Sequence, residues 1–334
     1  MFETVSGARK SIYLEMYIFQ DKVEDFDFFN LLREKAKQGL RVKLIFDSFG
    51  SPDLTGSTVR ELEEAGVEVL LLSDFIHRMH RKVLVVDEDI AFIGGVNLQQ
   101  NSRFWNDIVV RMTGNSLVKK TVVSFAKSYA SAGGRDPILL GKNNRISSAK
   151  ADSWIVDHSP IRRKFYFKRI YKKYLNEAQN NIILTTPYFI PKRWLFNTLH
   201  KATARGVKVE ILVPKNTDHF FIDRVNYFYI YKLSKLGVKF YMEEKMNHAK
   251  MIIIDNEKAM VGSPNLDFFS FDFNSEVGVF FKDSEAVSKL LEIVKEWKKD
   301  AVLFDYKIHK PKWFDYILSP IINLFSLFTR IFLD

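Results

Sequence analysis

Short apolar runs alternate along the chain with longer stretches whose apolar positions recur every three or four residues. "SIYLEMYIF" (11–19), "RVKLIFD" (41–47) and "VEVLLL" (67–72) have the length and β-branched content of strands. Between them, "FDFFNLLREKAKQG" (26–39) and "TVRELEEAG" (58–66) carry helical periodicity and end in glycine, a common helix stop. "SLVKKTVVSFAKSYASAGG" (116–134) predicts a further helix. "GRDPILLGKNNRISSAKADS" (134–153) is polar and broken and reads as a connection, and "PIRRKFYFKRIYKKYLNEAQNN" (160–181) reads as a basic amphipathic helix. Alternation of this kind predicts an α/β fold, sheets covered by helices.

The pattern occurs twice. "HRKVLVVD" (80–87) returns as "HAKMIIID" (248–255), 168 positions later. From each histidine, lysine follows at +2, aspartate at +7, glycine at +14 and asparagine at +17. These are Lys82, Asp87, Gly94 and Asn97, then Lys250, Asp255, Gly262 and Asn265. "GLRVKLIF" (39–46) is echoed by "GVKVEILV" (206–213), "EAGVEVLLL" (64–72) by "KLGVKFYM" (235–242), and "SIYLEMYIF" by "NIILTTPYF" (181–189). The chain therefore reads as two copies of one unit. The expected division is a first repeat over 1–135, a linker over 136–160, a second repeat over 161–306 and a C-terminal tail over 307–334.

Composition narrows the chemistry. A net charge of +10 favours an anionic partner. The absence of cysteine removes disulfides and thiolate chemistry, makes a structural zinc site improbable and fits a reducing compartment. The start, "MFETVSGARKSIYLEMYIF", lacks the pattern of a signal peptide. No segment reads as a clean membrane span. The nearest is "WFDYILSPIINLFSLFTRIFLD" (313–334), where Ser319, Asn323, Ser326 and Arg330 form one polar stripe behind Lys307, Lys310 and Lys312. Such a helix suits a membrane interface with anionic headgroups; packing on the protein's own core is the alternative.

Each motif reads as the first strand of a hairpin, on which His80 and Lys82 share a face. Turns centred at 88–89 and at Asn256–Glu257 set His80 opposite Asn97 and His248 opposite Asn265. Gly94–Gly95 and Gly262–Ser263 then leave room for a ligand near the backbone. An imidazole, an ammonium and a carboxamide gathered in this way suit a phosphodiester. The lysines neutralise it, and Asn97 and Asn265 donate to phosphoryl oxygens. One histidine attacks phosphorus, and a second moves the proton of the alcohol. Two half-sites meeting at a pseudo-twofold axis would supply one of each. Asp107, 27 residues after His80, and Glu276, 28 after His248, each open an apolar strand and are the candidates to orient the imidazoles. Asp87 and Asp255 stand at the far end of the hairpin, as turn residues. A metal site on His77 and His80 has no counterpart in the other copy, so no metal is expected.

"HRKVLVVDEDIAFIGGVN" and "HAKMIIIDNEKAMVGSPN" both match H-x-K-x4-D followed by G-[GS]-x-N, and the chain resembles the phospholipase D superfamily over nearly its whole length. "TTPYFIP" (185–191), "ARGVKVEILVPKNTD" (204–218) and "SFDFNSEVG" (270–278) are most similar to bacterial cardiolipin synthases; the last fits S-x3-N-x-E with Ser270, Asn274 and Glu276. The resemblance implies two phospholipase D-like repeats with one active site between them and a catalytic set of His80, Lys82, His248 and Lys250, with which the signature groups Asp87 and Asp255. It also implies a phosphohistidine intermediate, no cofactor, and conversion of two phosphatidylglycerols into cardiolipin and glycerol, with His80 as nucleophile. The implied partners are phosphatidylglycerol and other anionic phospholipids at a membrane surface, not nucleic acid. The implied location is the bacterial cell membrane, reached peripherally from its cytoplasmic face. The N-terminal spans common in such synthases are not seen in this sequence. Water as acceptor, and a superfamily nuclease, are the competing readings. Phenylalanines and tyrosines in "HFFIDRVNYFYIYK" (219–232), "DFFSFDF" (267–273) and "RFWN" (103–106) suit either acyl grooves or ordinary packing.

Overall fold

The computed structural model describes the chain except residues 21–22, 25, 73–76, 143–151, 161–163, 314 and 317–334. The polar stripe expected in the tail lies outside the described residues. The elements fall into two compact units. One comprises Met1–Lys164, Val261–Pro264 and Phe273–Phe281; the other comprises Phe165–Met260, Asn265–Asp272 and Lys282–Asp334.

In chain order, the first repeat contains α1 (Phe2–Ser6), β1 (Ser11–Met16), α2 (Phe28–Lys37), β2 (Arg41–Phe46), α3 (Gly56–Glu64), β3 (Glu68–Leu71), β4 (Lys82–Val86), β5 (Ile90–Gly94), β6 (Val109–Thr113), α4 (Asn115–Ser131) and α5 (Pro137–Leu140). Its sheet has the order β3-β2-β1-β4-β5-β6. β1, β2 and β3 run parallel, and β4, β5 and β6 continue antiparallel. β1 is buried along its whole length because both its faces are covered. Ile12, Leu14 and Met16 join Leu44, Phe46, Leu84 and the α2 residues Phe28, Phe29 and Leu32 in one core. On the alternate face Tyr13 stacks on Phe125 of α4, with ring centroids 5.3 Å apart.

β7 (Ser153–His158) follows. It falls inside the stretch expected to be a linker, so that expectation is corrected here. The strand exists because it pairs antiparallel with a distant segment, from Glu276↔His158 to Phe281↔Ser153. A local reading of its half-polar sequence carries no sign of that partner.

The second repeat contains α6 (Tyr166–Glu177), β8 (Asn181–Thr185), α7 (Arg193–Ala204), β9 (Lys208–Pro214), α8 (Phe220–Ser234), β10 (Lys239–Glu243), β11 (Met251–Ile254), β12 (Lys258–Gly262), α9 (Phe268–Asp272), β13 (Glu276–Phe281), α10 (Ser284–Lys299) and β14 (Ala301–Leu303). Its strands run β14-β10-β9-β8-β11-β12-β13-β7, and the inner six repeat the order of the first sheet. The echo reaches the backbone. Gly39 and Gly206, which follow α2 and α7, share φ 87°, and Gly66 and Gly237 share φ 92°, a left-handed conformation in which glycine carries no Cβ penalty. Among the described residues no helix is long and apolar enough to cross a membrane.

Candidate active site

The two hairpins place the motifs. The β4–β5 ladder runs from Val83↔Ile93 to Val86↔Ile90, one residue away from the register expected from the sequence. The reason is the turn, which takes three residues, 87–89, with Asp87 and Glu88 at φ 56° and 59°. Asp255 and Asn256 repeat this at 52° and 56°. Aspartate and asparagine tolerate the left-handed region better than most residues.

The motif aspartates serve these turns. Asp87 accepts hydrogen bonds from the backbone N–H groups of Arg9 (2.9 Å), Lys10 (2.6 Å) and Ser11 (2.9 Å). Asp255 accepts from Gln179 (3.1 Å), Asn180 (2.7 Å) and Asn181 (3.1 Å). Each carboxylate ties its turn to the start of the repeat's first strand. Asp87 and Asp255 thus sit as the turn residues expected from their place at the far end of the hairpin. Burial pushes the Asp255 carboxyl up, but its three backbone donors outweigh burial and hold it below the usual carboxylate range. Its contribution to stability is present above an ordinary carboxyl pKa, about 3.9, and is lost as pH falls through the lowered folded value. Asp255→Asn should lower the urea midpoint at pH 7. The gap between variant and parent should close as pH falls below about 4; a gap independent of pH would contradict this role.

The glycines of G-[GS]-x-N admit neighbouring strands, not a ligand, contrary to expectation. A Cβ on Gly94 would meet the Ile108 carbonyl oxygen at 2.2 Å, and one on Gly262 would meet that of Val277 at 2.5 Å. The next position differs between the copies. A Cβ on Gly95 would lie 2.3 Å from the Asp107 carboxylate, whereas Ser263 uses its hydroxyl to donate to Glu276. Gly95 N–H donates to the Ile108 carbonyl and Ser263 N–H to that of Val277, so Asp107 and Glu276 occupy equivalent positions. Asp107 also accepts from the N–H of Ile108 at 2.7 Å.

His80 lies in the first unit, and so does Glu276. The His80 backbone is held by a bridge in which Ser275 N–H donates to Arg78 and His80 N–H donates to Ser275. This brings His80 Nδ1 to 3.0 and 3.1 Å from the two Glu276 oxygens. Glu276, one of the two carboxylates expected to orient the imidazoles, pairs with His80, the histidine of the other copy. Sequence distance pointed to His248; the ladder that places the segment is non-local. Glu276 is fully buried and also accepts from the Ser263 hydroxyl. A carboxylate at Nδ1 holds the ring in one orientation and favours the tautomer whose proton sits on Nδ1. Lys82 donates its ammonium to the His80 carbonyl at 2.8 Å. Tyr17 packs against both groups, 4.7 Å from the His80 ring and 4.8 Å from the Lys82 nitrogen. Tyr17 was not singled out from the sequence, and Ser263 was read only as room for a ligand; the available signal was that their matching positions hold Pro187 and Gly95.

The second motif is built alike in its own unit. His248 is buried, Lys250 donates to its carbonyl, and Ala249 N–H donates to Asn247 at 3.0 Å. Asn265 N–H donates to Ser270 at 2.9 Å. The side-chain oxygens of Asn97 and Asn265 are buried with no hydrogen-bond partner among the described residues. Both carboxamides thus keep unused acceptor capacity on their oxygens.

The family model described as "Cardiolipin synthase, PLD-like domain" matches residues 1–129 and 171–297. A cardiolipin synthase of Oceanobacillus iheyensis is 32% identical, covering 87% of this chain and 64% of that protein. One from Clostridium perfringens is 31% identical, covering 87% and 66%. One from Geobacillus kaustophilus is 28% identical, covering 92% and 65%. The chain thus spans a little under two thirds of the length of these relatives. In fold it is similar to the phosphatidylserine synthase of Haemophilus influenzae, with TM-score 0.76 and 14% identity, covering 98% of this chain and 90% of that one. It is also similar to the polyphosphate kinase of Porphyromonas gingivalis, with TM-score 0.65 and 13% identity, covering 97% and 50%. With both H-x-K hairpins in place and a family model matched once in each repeat, the chain belongs to the phospholipase D-like domain family of the cardiolipin synthases.

Proposed function

We propose that the protein is a phosphatidyltransferase of the cardiolipin synthase type, joining two phosphatidylglycerols into cardiolipin and releasing glycerol. The observation that carries this reading is the His80–Glu276 pair, a buried imidazole oriented by a carboxylate beside the Lys82 hairpin. Nε2 of His80 attacks the phosphorus of the first lipid. A phosphorus–nitrogen bond forms, the bond to the glycerol oxygen breaks, and His248 gives that oxygen its proton. His248 then takes the proton from the hydroxyl of a second phosphatidylglycerol, whose oxygen displaces His80. Lys82, Lys250, Asn97 and Asn265 hold the phosphoryl oxygens and offset their growing charge. Asp107 stands where Glu276 does in the repeat and is the candidate to orient the other imidazole. No step requires a metal or cofactor.

The substrate lies in a bilayer, so the protein must reach a membrane surface. A net charge of +10 and the exposed Phe220 and Phe221 at the start of α8, each 72% exposed, support peripheral attachment to anionic lipid. We assign it to the cytoplasmic face of the bacterial cell membrane.

The test is incubation with phosphatidylglycerol vesicles under exhaustive chelation, followed by identification of the lipid products. Cardiolipin and glycerol in equal amounts are expected, at the rate seen without chelator. Phosphatidic acid alone would make the protein a hydrolase, and loss of activity restored by one divalent ion would overturn the two-histidine chemistry.

A further inference from the structure

An arginine stands in line with His80 and Lys82, and the matching position of the second copy has none. Arg78 precedes His80 by two residues in the extended segment bridged to Ser275. Alternation therefore puts Arg78, His80 and Lys82 on one face. The position 168 residues later is Met246. Since both copies supply the histidine, lysine and asparagine that hold a phosphoryl group, a one-sided cation is surplus to that task.

Arg78 is also poised to bind an anion. Its guanidinium lies 3.8 Å from the centroid of the Phe49 ring, which fixes its plane. Its Nη1 is buried and has no hydrogen-bond partner among the described residues. The nearby Asp47 carboxylate is committed elsewhere, accepting from the N–H groups of Phe49 (3.0 Å), Gly50 (2.8 Å) and Met79 (2.7 Å). Burial pushes both Tyr17 and Asp47 up, and the charge of Arg78 opposes that push in each, which places the guanidinium close to this cluster.

We propose that Arg78 binds the phosphate of the acceptor and so selects a phosphorylated alcohol over a plain one. The inference rests on phosphatidyl transfer through His80. When a phosphatidylglycerol hydroxyl attacks the phosphorus on His80, its own phosphate lies six bonds away, along P–O–C–C–C–O–P. That reach is comparable to the two-residue step from His80 to Arg78, about 6.6 Å in extended chain. The acceptor oxygen bonds to phosphorus, the bond to His80 breaks, the proton passes to His248, and the second phosphate stays on the guanidinium throughout. Water and glycerol offer nothing to Arg78. A guanidinium suits this work, since it can grip a phosphate with two parallel hydrogen bonds.

The experiment uses the full chain and a phosphatidyl nitrophenyl ester as donor, with glycerol and glycerol 1-phosphate as competing acceptors at equal concentration. Label trapped on the protein before acceptor is added reports whether each variant folds and forms the intermediate. The parent should favour glycerol 1-phosphate. Arg78→Met, which installs the residue of the matching position, and Arg78→Gln should lower that product ratio on the order of tenfold, the worth of one charge-assisted hydrogen bond. Arg78→Lys should restore part of it. An unchanged ratio, a parent without preference, or loss of the trapped intermediate in all three variants overturns the assignment to Arg78. A parent that forms no intermediate overturns phosphatidyl transfer itself.

Discussion

Alanine at His80 is expected to abolish acid-labile, base-stable phosphatidyl label on the protein and to lower cardiolipin formation on the order of 10⁴-fold or more, since the nucleophile itself is removed. Alanine at His248 should cost as much with phosphatidylglycerol but not with a nitrophenyl donor, whose leaving group departs without a proton. The contrast between the donors is the measurement. Label accumulating on the His248→Ala protein from the nitrophenyl donor would mark His80 as the attacking group. Label on His248 in the His80→Ala protein would reverse the two roles. Cardiolipin made by either variant at a tenth of the parent rate would place the chemistry outside the paired motif. The physical ground for assigning attack to His80 is the Glu276 carboxylate at its Nδ1, which holds the imidazole in one orientation.

Arg81→Ala should be the most destabilising single change at the motif, by about 3–5 kcal/mol, as is typical when one partner of a buried ion pair is removed. Arg81 sits between two site residues in sequence, yet it faces away from them. It is fully buried, with Nε 2.9 Å from Glu15, Nη1 2.7 Å from Asp157 and Nη2 donating to Ser124 at 2.7 Å. Burial raises the Glu15 carboxyl above its usual range even with the arginine present. Without Arg81 nothing offsets the burial of Glu15, which must then lie unpaired in the core or take up a proton, and either costs stability. The loss should therefore shrink as pH falls and Glu15 takes up a proton. Urea unfolding at pH 7 and pH 5 measures both effects. Arg81→Met combined with Glu15→Leu should recover part of the stability, because no charge is then stranded. A loss under 1 kcal/mol in Arg81→Ala would refute the ion-pair account.

Arg81 also marks the limit of what the sequence discloses. Alternation predicts that Arg81 faces opposite to His80 and Lys82, but which face holds buried carboxylates depends on Glu15 and Asp157, brought in from far along the chain. Features fixed by neighbours in sequence were legible: the two-copy organisation, the glycines closing α2 and α3, β4 as a strand, and the motif aspartates as turn residues. Non-local ones were not. β7 looked like a linker because its partner β13 is more than a hundred residues away. Glu276 was placed with the nearer histidine for the same reason. The hairpin register missed by one residue because the turn uses two left-handed non-glycine residues, a choice that composition does not betray.

The membership of Val261–Pro264 and Phe273–Phe281 in the first unit bears on how the protein is made. During synthesis the first repeat emerges with β7 lacking β13, with no segment to bridge Met79, and with His80 lacking its carboxylate. Those parts arrive only with residues 273–281, late in translation. The nascent chain thus carries the His80 motif before the carboxylate that pairs with it, and an N-terminal fragment released early lacks that partner. Splitting the gene at the connection around residue 142 should yield two halves that regain His80 chemistry only when the second donates its strand to the first.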